Sequence, residues 1–141
     1  MGKLKICSMK KFILLIGFSF VFIAAKSQEL DCSKVKSGVF KSVLNIDGEE
    51  FITIISREKN KQIEENKGKG IKMEFVVKWT SSCTYELSKP KVISGEVPDV
   101  LESHILYVKI TGITKELYST EVTSNFFEEK ILLDFLIINK D

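Results

Sequence analysis

The residues suited to acid–base chemistry are few in this sequence, and they form no recognisable catalytic pattern. His104 is the only histidine, and it follows directly on Glu102 and Ser103. A hydrolytic triad needs three side chains that converge in space, which residues adjacent in sequence do not provide. We therefore predict that His104 is a solvent-exposed loop residue without a catalytic role.

Adjacent glutamates could supply the paired carboxylates that glycoside hydrolysis requires. Neighbouring side chains of a strand point to opposite faces, however, so each pair is predicted to be solvated near a turn. The pairs are Glu49–Glu50, Glu64–Glu65 and Glu128–Glu129. The sequence also has no phosphate-binding loop and no zinc-ligand spacing. We predict that the protein is not an enzyme and has no cofactor and no metal site.

One carboxylate lies in unusual surroundings, because Asp134 is flanked by Leu133 and Phe135. If this face of the strand is interior, the carboxylate needs a cationic partner. Arg57, the only arginine of the chain, is the natural candidate. Three interpretations stay open: Asp134 faces solvent, it forms a structural pair with Arg57, or the two residues form the polar end of a ligand pocket.

The N-terminal segment determines which residues belong to the folded protein. A basic leader precedes an apolar run from Phe12 to Ala25, and Ser27 and Gln28 follow. The run is shorter than the roughly 20 residues of a membrane span. This layout predicts a secretory signal peptide at residues 1–27, cut before Gln28. Residues 28–141 would then form a single exported domain, periplasmic or secreted, that does not span the membrane.

Alternatives to this interpretation of the N-terminus are a retained anchor helix and a translation start at Met9 instead of Met1. A lipoprotein acylated at Cys32 is disfavoured, because Asp31 precedes the cysteine where acylation signals have a small residue. Without the five lysines of the leader, 16 of the 21 basic residues remain against 19 acidic ones, a net charge of −3. No basic field for nucleic acid is left, so we predict no nucleic-acid partner.

Two cysteines, Cys32 and Cys83, remain when Cys7 leaves with the leader. An even pair in an oxidising compartment favours a disulfide. Closing a loop of this length would remove about 4 kcal/mol of unfolded-state entropy. A redox thiol or metal ligand is the alternative, but the sequence has no CxxC motif and a single histidine. We predict a Cys32–Cys83 disulfide that pins the N-terminal segment to the middle of a sheet.

Apolar residues recur with a period of two after Ser37, which is typical of β-strands. From Ile71 to Trp79 the odd positions are apolar, and Tyr85 continues the pattern in the next strand. For Trp79 and Tyr85 to share a face, the loop between the strands must contain an odd number of residues. A three-residue turn near Ser81 satisfies this condition.

A second hairpin is predicted at Asp47-Gly48, a dipeptide that favours a type I′ turn. Pairing Ile46 with Glu49 would align two further pairs on one apolar face. These are Leu44 with Phe51 and Phe40 with Ile55. A short strand at residues 61–65 and a turn at residues 66–70 lead into the Ile71 strand.

The pattern lapses over residues 89–103, where Pro90 and Pro98 exclude a central strand. It resumes in three later strands, of which the last, at residues 129–139, is the most apolar. An exposed edge of that composition would aggregate, so this strand is expected to close against an early one. The sequence therefore predicts an all-β fold: an antiparallel up-and-down meander of about eight strands that closes into a small barrel.

Four segments, Cys32, "SGVFK", "ISREKNKQIE" and "VVKWTSSCTYEL", resemble a family of short exported flavobacterial proteins. The family pattern is a leading cysteine, a GxF strand, an RxxxxQxE element and a VxWxSxCxYxL strand pair, and the resemblance becomes loose after Leu87. Members sometimes carry a DNA topoisomerase IV label, for which this chain has neither the size nor the basic surface. The resemblance implies a lipocalin-like β-barrel without an established activity. The Gly38-Val39-Phe40 start is also similar to the GxW opening strand of lipocalins.

Three aromatic residues, Trp79, Phe75 and Tyr85, are candidates to line a pocket for an apolar guest, together with Arg57 and Asp134. Side chains alone can also fill an eight-stranded barrel. The leading hypothesis is a non-catalytic exported binding module that holds a small apolar or amphipathic ligand. The alternative is a structural or interaction protein of the cell envelope with a filled core. The partner would be an unknown small apolar ligand in the first case and an envelope protein in the second.

Overall fold

Each strand of the structure pairs with the next strand along the chain, and the last pairs with the first. The computed structural model describes residues 29–138, in which a short 3₁₀ helix (Cys32–Val35) precedes one closed antiparallel barrel. The strands are β1 (Gly38–Ile46), β2 (Glu49–Arg57), β3 (Lys61–Asn66), β4 (Ile71–Trp79), β5 (Thr84–Ser94), β6 (Leu106–Ile113), β7 (Leu117–Ser124) and β8 (Ile131–Ile138). This architecture confirms the predicted fold class. The predicted signal peptide, residues 1–27, and its cut before Gln28 lie outside the described residues.

The first hairpin has the predicted register. Asp47 and Gly48 both have positive φ, at 52° and 81°, as a type I′ turn requires. The predicted pairs on either side are formed, namely Ile46 with Glu49, Leu44 with Phe51 and Phe40 with Ile55. The turn dipeptide and the alternation of apolar residues together determine this register.

The β4–β5 connection confirms the predicted odd loop. Trp79 pairs with Tyr85, and the backbone N–H of Thr80 donates to the carbonyl oxygen of Thr84 at 3.0 Å. Three residues, 81–83, are left to form the turn. Cys83 therefore lies in a turn at one end of the barrel and not in the middle of a strand.

Closure of the barrel brings the most apolar strand against the first one. Phe40 of β1 is opposite Ile137 of β8, and Ser42 is opposite Phe135. The even-numbered residues of β1 and the odd-numbered residues of β8 at this seam point inward. Phe40 and Phe135 are buried there. The backbone edge of β8 is thus paired on both sides, with β1 and with β7.

The prediction that the strand pattern lapses from residue 89 was wrong for residues 89–94, although Pro90 does not lie in a central strand. Strand β5 continues through Pro90 to Ser94. Two features explain why β5 tolerates the proline. The β4–β5 register shifts between Glu74 and Val76, opposite the proline, and β5 pairs with β6 only as far as Leu87. The proline is therefore in a bulged part of β5 whose other edge is free, where its missing N–H costs no ladder hydrogen bond.

The inward faces of all eight strands build one core. Its most buried apolar side chains include Phe40, Ile55, Val77, Tyr85, Leu87, Val108, Ile110 and Tyr118. The outer face also carries exposed apolar residues, of which Leu132 is 72% exposed. Within residues 29–138, no helix combines the length and apolar character that crossing a membrane requires.

Candidate functional site

The 3₁₀ helix covers one end of the barrel, which we call the disulfide end. Its N-cap residue, Asp31, accepts a hydrogen bond from the backbone N–H of Ser33 at 3.2 Å. Val35 and Cys32 are 0% and 1% exposed, so the helix is packed into the barrel. The Cys32–Cys83 disulfide, with a Cα–Cα distance of 5.3 Å, joins the helix to the β4–β5 turn. The predicted pairing is thereby confirmed, and it seals this end.

Arg57, the last residue of β2, lies directly beneath this seal and is 2% exposed. Its Nη1 donates to the carbonyl oxygen of Val35 at 2.8 Å, and its Nε donates to Oε1 of Gln62 at 2.7 Å. Its Nη2 donates to the hydroxyls of Tyr85 and Tyr118 at 2.7 and 2.8 Å. The guanidinium therefore ties the 3₁₀ helix to three different strands.

No carboxylate pairs with Arg57 among the residues that the structure describes. Aromatic faces surround the cation in its place. The guanidinium carbon is 4.5 Å from the ring centroid of Tyr85 and 5.0 Å from that of Phe40. Such cation–π contacts are stronger when they are desolvated, as they are here. Burial raises the pKa of Tyr85 and of Tyr118, and this effect exceeds the lowering caused by the positive charge of Arg57. Both phenols therefore stay neutral and accept hydrogen bonds from Arg57.

The proposed pair of Arg57 with Asp134 is not formed. Asp134 is exposed on the outer face of β8, where it is opposite Ser119 of β7. The reason is the two-residue period of a strand, since Leu133 and Phe135 both point inward and the residue between them must point outward. Asp134 is therefore not part of any interior pocket, and solvent exposure was the correct interpretation.

Glu64 corrects another expectation, because it is not a solvated turn residue. It is opposite Ile55, an inward residue of β2, so its side chain also points inward. Nε2 of Gln62 donates to Oε1 of Glu64 at 2.7 Å. Burial raises the pKa of this carboxyl group, against the smaller opposing effects of Gln62 and Arg57. The face of Glu64 follows from its pairing with Ile55 in the β2–β3 hairpin. The sequence alone did not reveal that pairing.

A cavity of about 160 Å³ remains in the barrel on the side of Tyr85 away from the disulfide end. It extends toward the opposite end, which we call the cavity end. Leu44 lines the cavity and is 38% exposed, so the cavity meets solvent there. The lining residues are Ser42, Leu44, Thr53, Ile55, Gln62, Glu64, Tyr85, Leu87, Leu106, Val108, Val122, Leu133 and Phe135.

Only one of the predicted aromatic residues lines this cavity. Tyr85 forms part of its floor, whereas Phe75 is buried elsewhere in the wall. Trp79 packs at the disulfide end, 4.7 Å from the ring of Tyr85 and 5.0 Å from Nζ of Lys36. Its Nε1 is the one buried side-chain nitrogen or oxygen in the described part of the chain without a hydrogen-bond partner. Arg57 lies behind the cavity floor and acts on it through Tyr85 and Gln62.

The remaining chemical candidate, His104, lies in the β5–β6 loop. It is half-buried, not fully exposed as predicted, because its ring stacks on Phe126 with centroids 4.0 Å apart. Residues 29–138 contain no group of three or more His, Cys, Asp or Glu side chains that could hold a metal ion.

A comparison of the chain with protein-family models, curated proteins and solved structures found no match. The resemblance to exported flavobacterial proteins stays a prediction from the sequence.

Proposed function

We propose that this protein is a non-catalytic, exported binding module that holds a small apolar or amphipathic ligand inside its barrel. The cavity beyond Tyr85 is the observation that supports the proposal, because a barrel of this size can be filled by its own side chains. In this protein a cavity remains beyond Tyr85. The walls of the space that remains are mostly aliphatic, with Leu87, Val108 and Val122 among them.

The size of the cavity limits the guest. A volume of about 160 Å³ is close to that of an engineered cavity of about 150 Å³ that binds benzene. Pockets for drug-sized ligands are larger, at roughly 300–1,000 Å³. The ligand is therefore a molecule with a single ring or a short chain, or one such group of a longer molecule that enters past Leu44.

Export is supported by the Cys32–Cys83 disulfide, because such bonds persist in oxidising compartments and are rare in the cytosol. A sealed disulfide end also suits a binding role, since it leaves the cavity end as the path for a ligand. The bond holds the floor of the site in place without occupying it.

Binding of toluene tests the proposal. Methyl signals of Leu87, Val108 and Val122 should shift in NMR spectra as toluene is added, whereas those of the outward-facing Val76 should not. Val108→Phe adds volume inside the cavity and should abolish the shifts. The matched control is Val76→Phe, the same change at a residue that is 41% exposed on the outer face, and it should leave binding intact. Absence of toluene binding to the unmodified protein would contradict the proposal.

A second candidate function is an interaction protein of the cell envelope. Exposed apolar residues on the outer face favour it, because contiguous apolar surface often marks contact sites. Leu132 and Leu136 of β8 are 72% and 43% exposed, and Val43 of β1 is 43% exposed. If no small guest enters the barrel, this second function is the one that the structure supports.

A further inference from the structure

We infer that the cavity selects a small uncharged molecule with a hydroxyl group, such as a phenol or a short alcohol, and that Glu64 binds that hydroxyl. The inference rests on the proposed function of the cavity and adds the chemical class of its ligand. It depends on which polar groups of the cavity are already bonded and which are free.

The polar groups of the cavity lie together on one wall. Ser42 of β1 is directly opposite Thr53 of β2, and Ile55, the next inward residue of β2, is opposite Glu64 of β3. Ser42, Thr53 and Glu64 are therefore neighbours on the inner surface. The lining of β5–β8 is apolar apart from Tyr85, whose hydroxyl accepts from Arg57, and it consists otherwise of Leu87, Leu106, Val108, Val122, Leu133 and Phe135. A guest in this space meets hydrogen-bonding groups on one side and hydrocarbon on the other.

These three polar groups are available to a ligand. Ser42 and Thr53 have no side-chain hydrogen bond within residues 29–138, and Gln62 is the one partner of the Glu64 carboxyl group there, through Oε1. The second oxygen, Oε2, is left without a partner. Nε1 of Trp79 is the one fully buried side-chain nitrogen or oxygen without a partner within residues 29–138, so the unpaired atoms of these three residues are reached by solvent. A ligand in the cavity can bond to them in place of water.

Arg57 cannot play this role, although it is the nearest cation. Its Nε, Nη1 and Nη2 all donate to protein acceptors, and it lies behind Tyr85 and Gln62. Arg57 uses four of its five N–H groups on protein acceptors and is separated from the cavity by Tyr85 and Gln62, so a carboxylate ligand would not reach it and would meet Glu64, a group of like charge. An anionic head group is excluded on both grounds.

Charge balance and hydrogen bonding then favour an uncharged hydroxyl compound. Arg57 and an ionised Glu64 sum to zero, so an ammonium ligand would leave one unbalanced positive charge in a desolvated space. A hydroxyl group both donates and accepts, and it can pair with the carboxyl group of Glu64 whether that group is ionised or protonated. Its apolar body would pack against the β5–β8 wall, within about the volume of a benzene-sized guest.

Four probes of similar size separate the possibilities: p-cresol, toluene, benzylamine and benzoate. Their dissociation constants for the full-length protein can be measured by NMR titration at neutral pH. We expect p-cresol to bind about ten-fold more tightly than toluene, the effect of one hydrogen bond to a charged or strongly polar group. Benzylamine and benzoate should bind more weakly than toluene.

Substitution of Glu64 identifies the group responsible. In Glu64→Leu the ratio of p-cresol to toluene affinity should fall to about one, while toluene binding itself persists and shows that the barrel is folded. The matched control, Glu65→Leu, changes the next residue of β3, which points outward, and should leave the ratio unchanged. If Glu64→Leu fails to fold, Glu64→Gln should still reduce the ratio, because the amide is a weaker acceptor.

The outcomes separate this inference from the function on which it rests. Equal binding of p-cresol and toluene, or preference for benzoate or benzylamine, would overturn the hydroxyl selectivity and leave the binding module in place. A preference for p-cresol that survives in Glu64→Leu would overturn the role of Glu64. Failure of all four probes to bind would overturn the proposed function itself, and the inference with it.

Discussion

At the disulfide end of the barrel, one buried arginine bonds to several polar side chains, whereas at the cavity end two hydroxyl groups have no side-chain partner within residues 29–138. Arg57 satisfies the hydroxyls of Tyr85 and Tyr118 and the amide of Gln62 within a sealed space. A few residues along the same strands, the side chains of Ser42 and Thr53 have no such partners. The contrast indicates that polarity inside a barrel has two uses. A satisfied cluster fixes the structure, whereas unsatisfied groups beside a void are available to a guest.

The largest effect on stability is expected when Arg57, the centre of the hydrogen-bond cluster at the disulfide end, is removed. Arg57→Leu leaves the carbonyl of Val35, the amide of Gln62 and two phenols without their donor in a buried space. We expect the free energy of unfolding to fall by about 3–5 kcal/mol, the usual cost of removing one member of a buried charged cluster. Urea denaturation followed by the fluorescence of Trp79 measures it. Lys109→Leu on the outer face should change stability by less than about 0.5 kcal/mol. An equally small effect for Arg57→Leu would show that the cluster is not what holds this end.

Loss of the disulfide comes next in size. The double variant Cys32→Ser, Cys83→Ser should lose about 2–4 kcal/mol, since the bond closes a loop with a sequence separation of 51. Toluene affinity should change much less than stability, because the bond lies on the far side of Tyr85 from the cavity. Mapping of peptides without reduction should find the bond in the unmodified protein, and two free thiols in that material would contradict the structure.

Removal of one hydroxyl at each end compares the two regions directly. Tyr118→Phe deletes an acceptor of Arg57 and should lower the free energy of unfolding by about 1.5–3 kcal/mol, as is typical of a hydrogen bond to a charged group. Thr53→Val deletes a hydroxyl without a protein partner, and its effect should lie within about 0.5 kcal/mol of zero. Chemical denaturation of both variants gives the comparison, and similar losses would remove the distinction between the ends.

The pH dependence of stability gives a smaller effect, centred on Glu64. Because burial raises the pKa of this group above its usual 4.5, the folded protein binds the proton more tightly than the unfolded chain does. The stabilising contribution is fully present below pH 4.5 and is lost as pH rises through the raised value. The substituted side chain of Glu64→Gln does not ionise, so the stability of this variant relative to the unmodified protein should improve as pH rises through that value. Denaturation at several pH values measures the trend, and a stability difference between the two proteins that stays constant with pH would contradict it.

The smallest expected effect is at Asp134. Asp134→Asn should change the free energy of unfolding by less than about 0.5 kcal/mol, as surface substitutions usually do. Thermal denaturation of this variant beside Arg57→Leu contrasts an exposed charge with a buried one. A loss of several kcal/mol for Asp134→Asn would mean that the carboxylate is buried, against the exposed position on β8.

Much of the fold could be predicted from local patterns. Asp47-Gly48 determines a turn type, and the alternation on either side of it leaves one register that buries Phe40 and Ile55 together. The parity of Trp79 and Tyr85 constrains the second loop in the same way. These features depend on residues that are close in sequence, so the sequence contains the information in readable form.

The site was less predictable, because it depends on register and packing across the barrel. The apolar neighbours of Asp134 left both an interior and an exposed position open, because a strand with apolar residues on both faces does not reveal which face is inside. Glu64 posed the reverse difficulty, since its neighbour Glu65 suggested a solvated segment. The continuation of β5 through Pro90 was missed because the free edge of β5 beyond Leu87 is a property of the assembled sheet. The cavity volume reflects how side chains of all strands pack, which no single segment encodes.

The pairing of β1 with β8 has a consequence for how the chain reaches its native state. Val39, near the start of the described residues, is opposite Ile138 at their end, so the last seam of the barrel joins the two most distant strands. Contacts between residues far apart in sequence are slow to form, and proteins dominated by them fold in milliseconds to seconds. Synthesis must also reach β8 before the seam can exist. Cys32 and Cys83 both precede that strand, so the disulfide can form in a nascent chain whose barrel is still open.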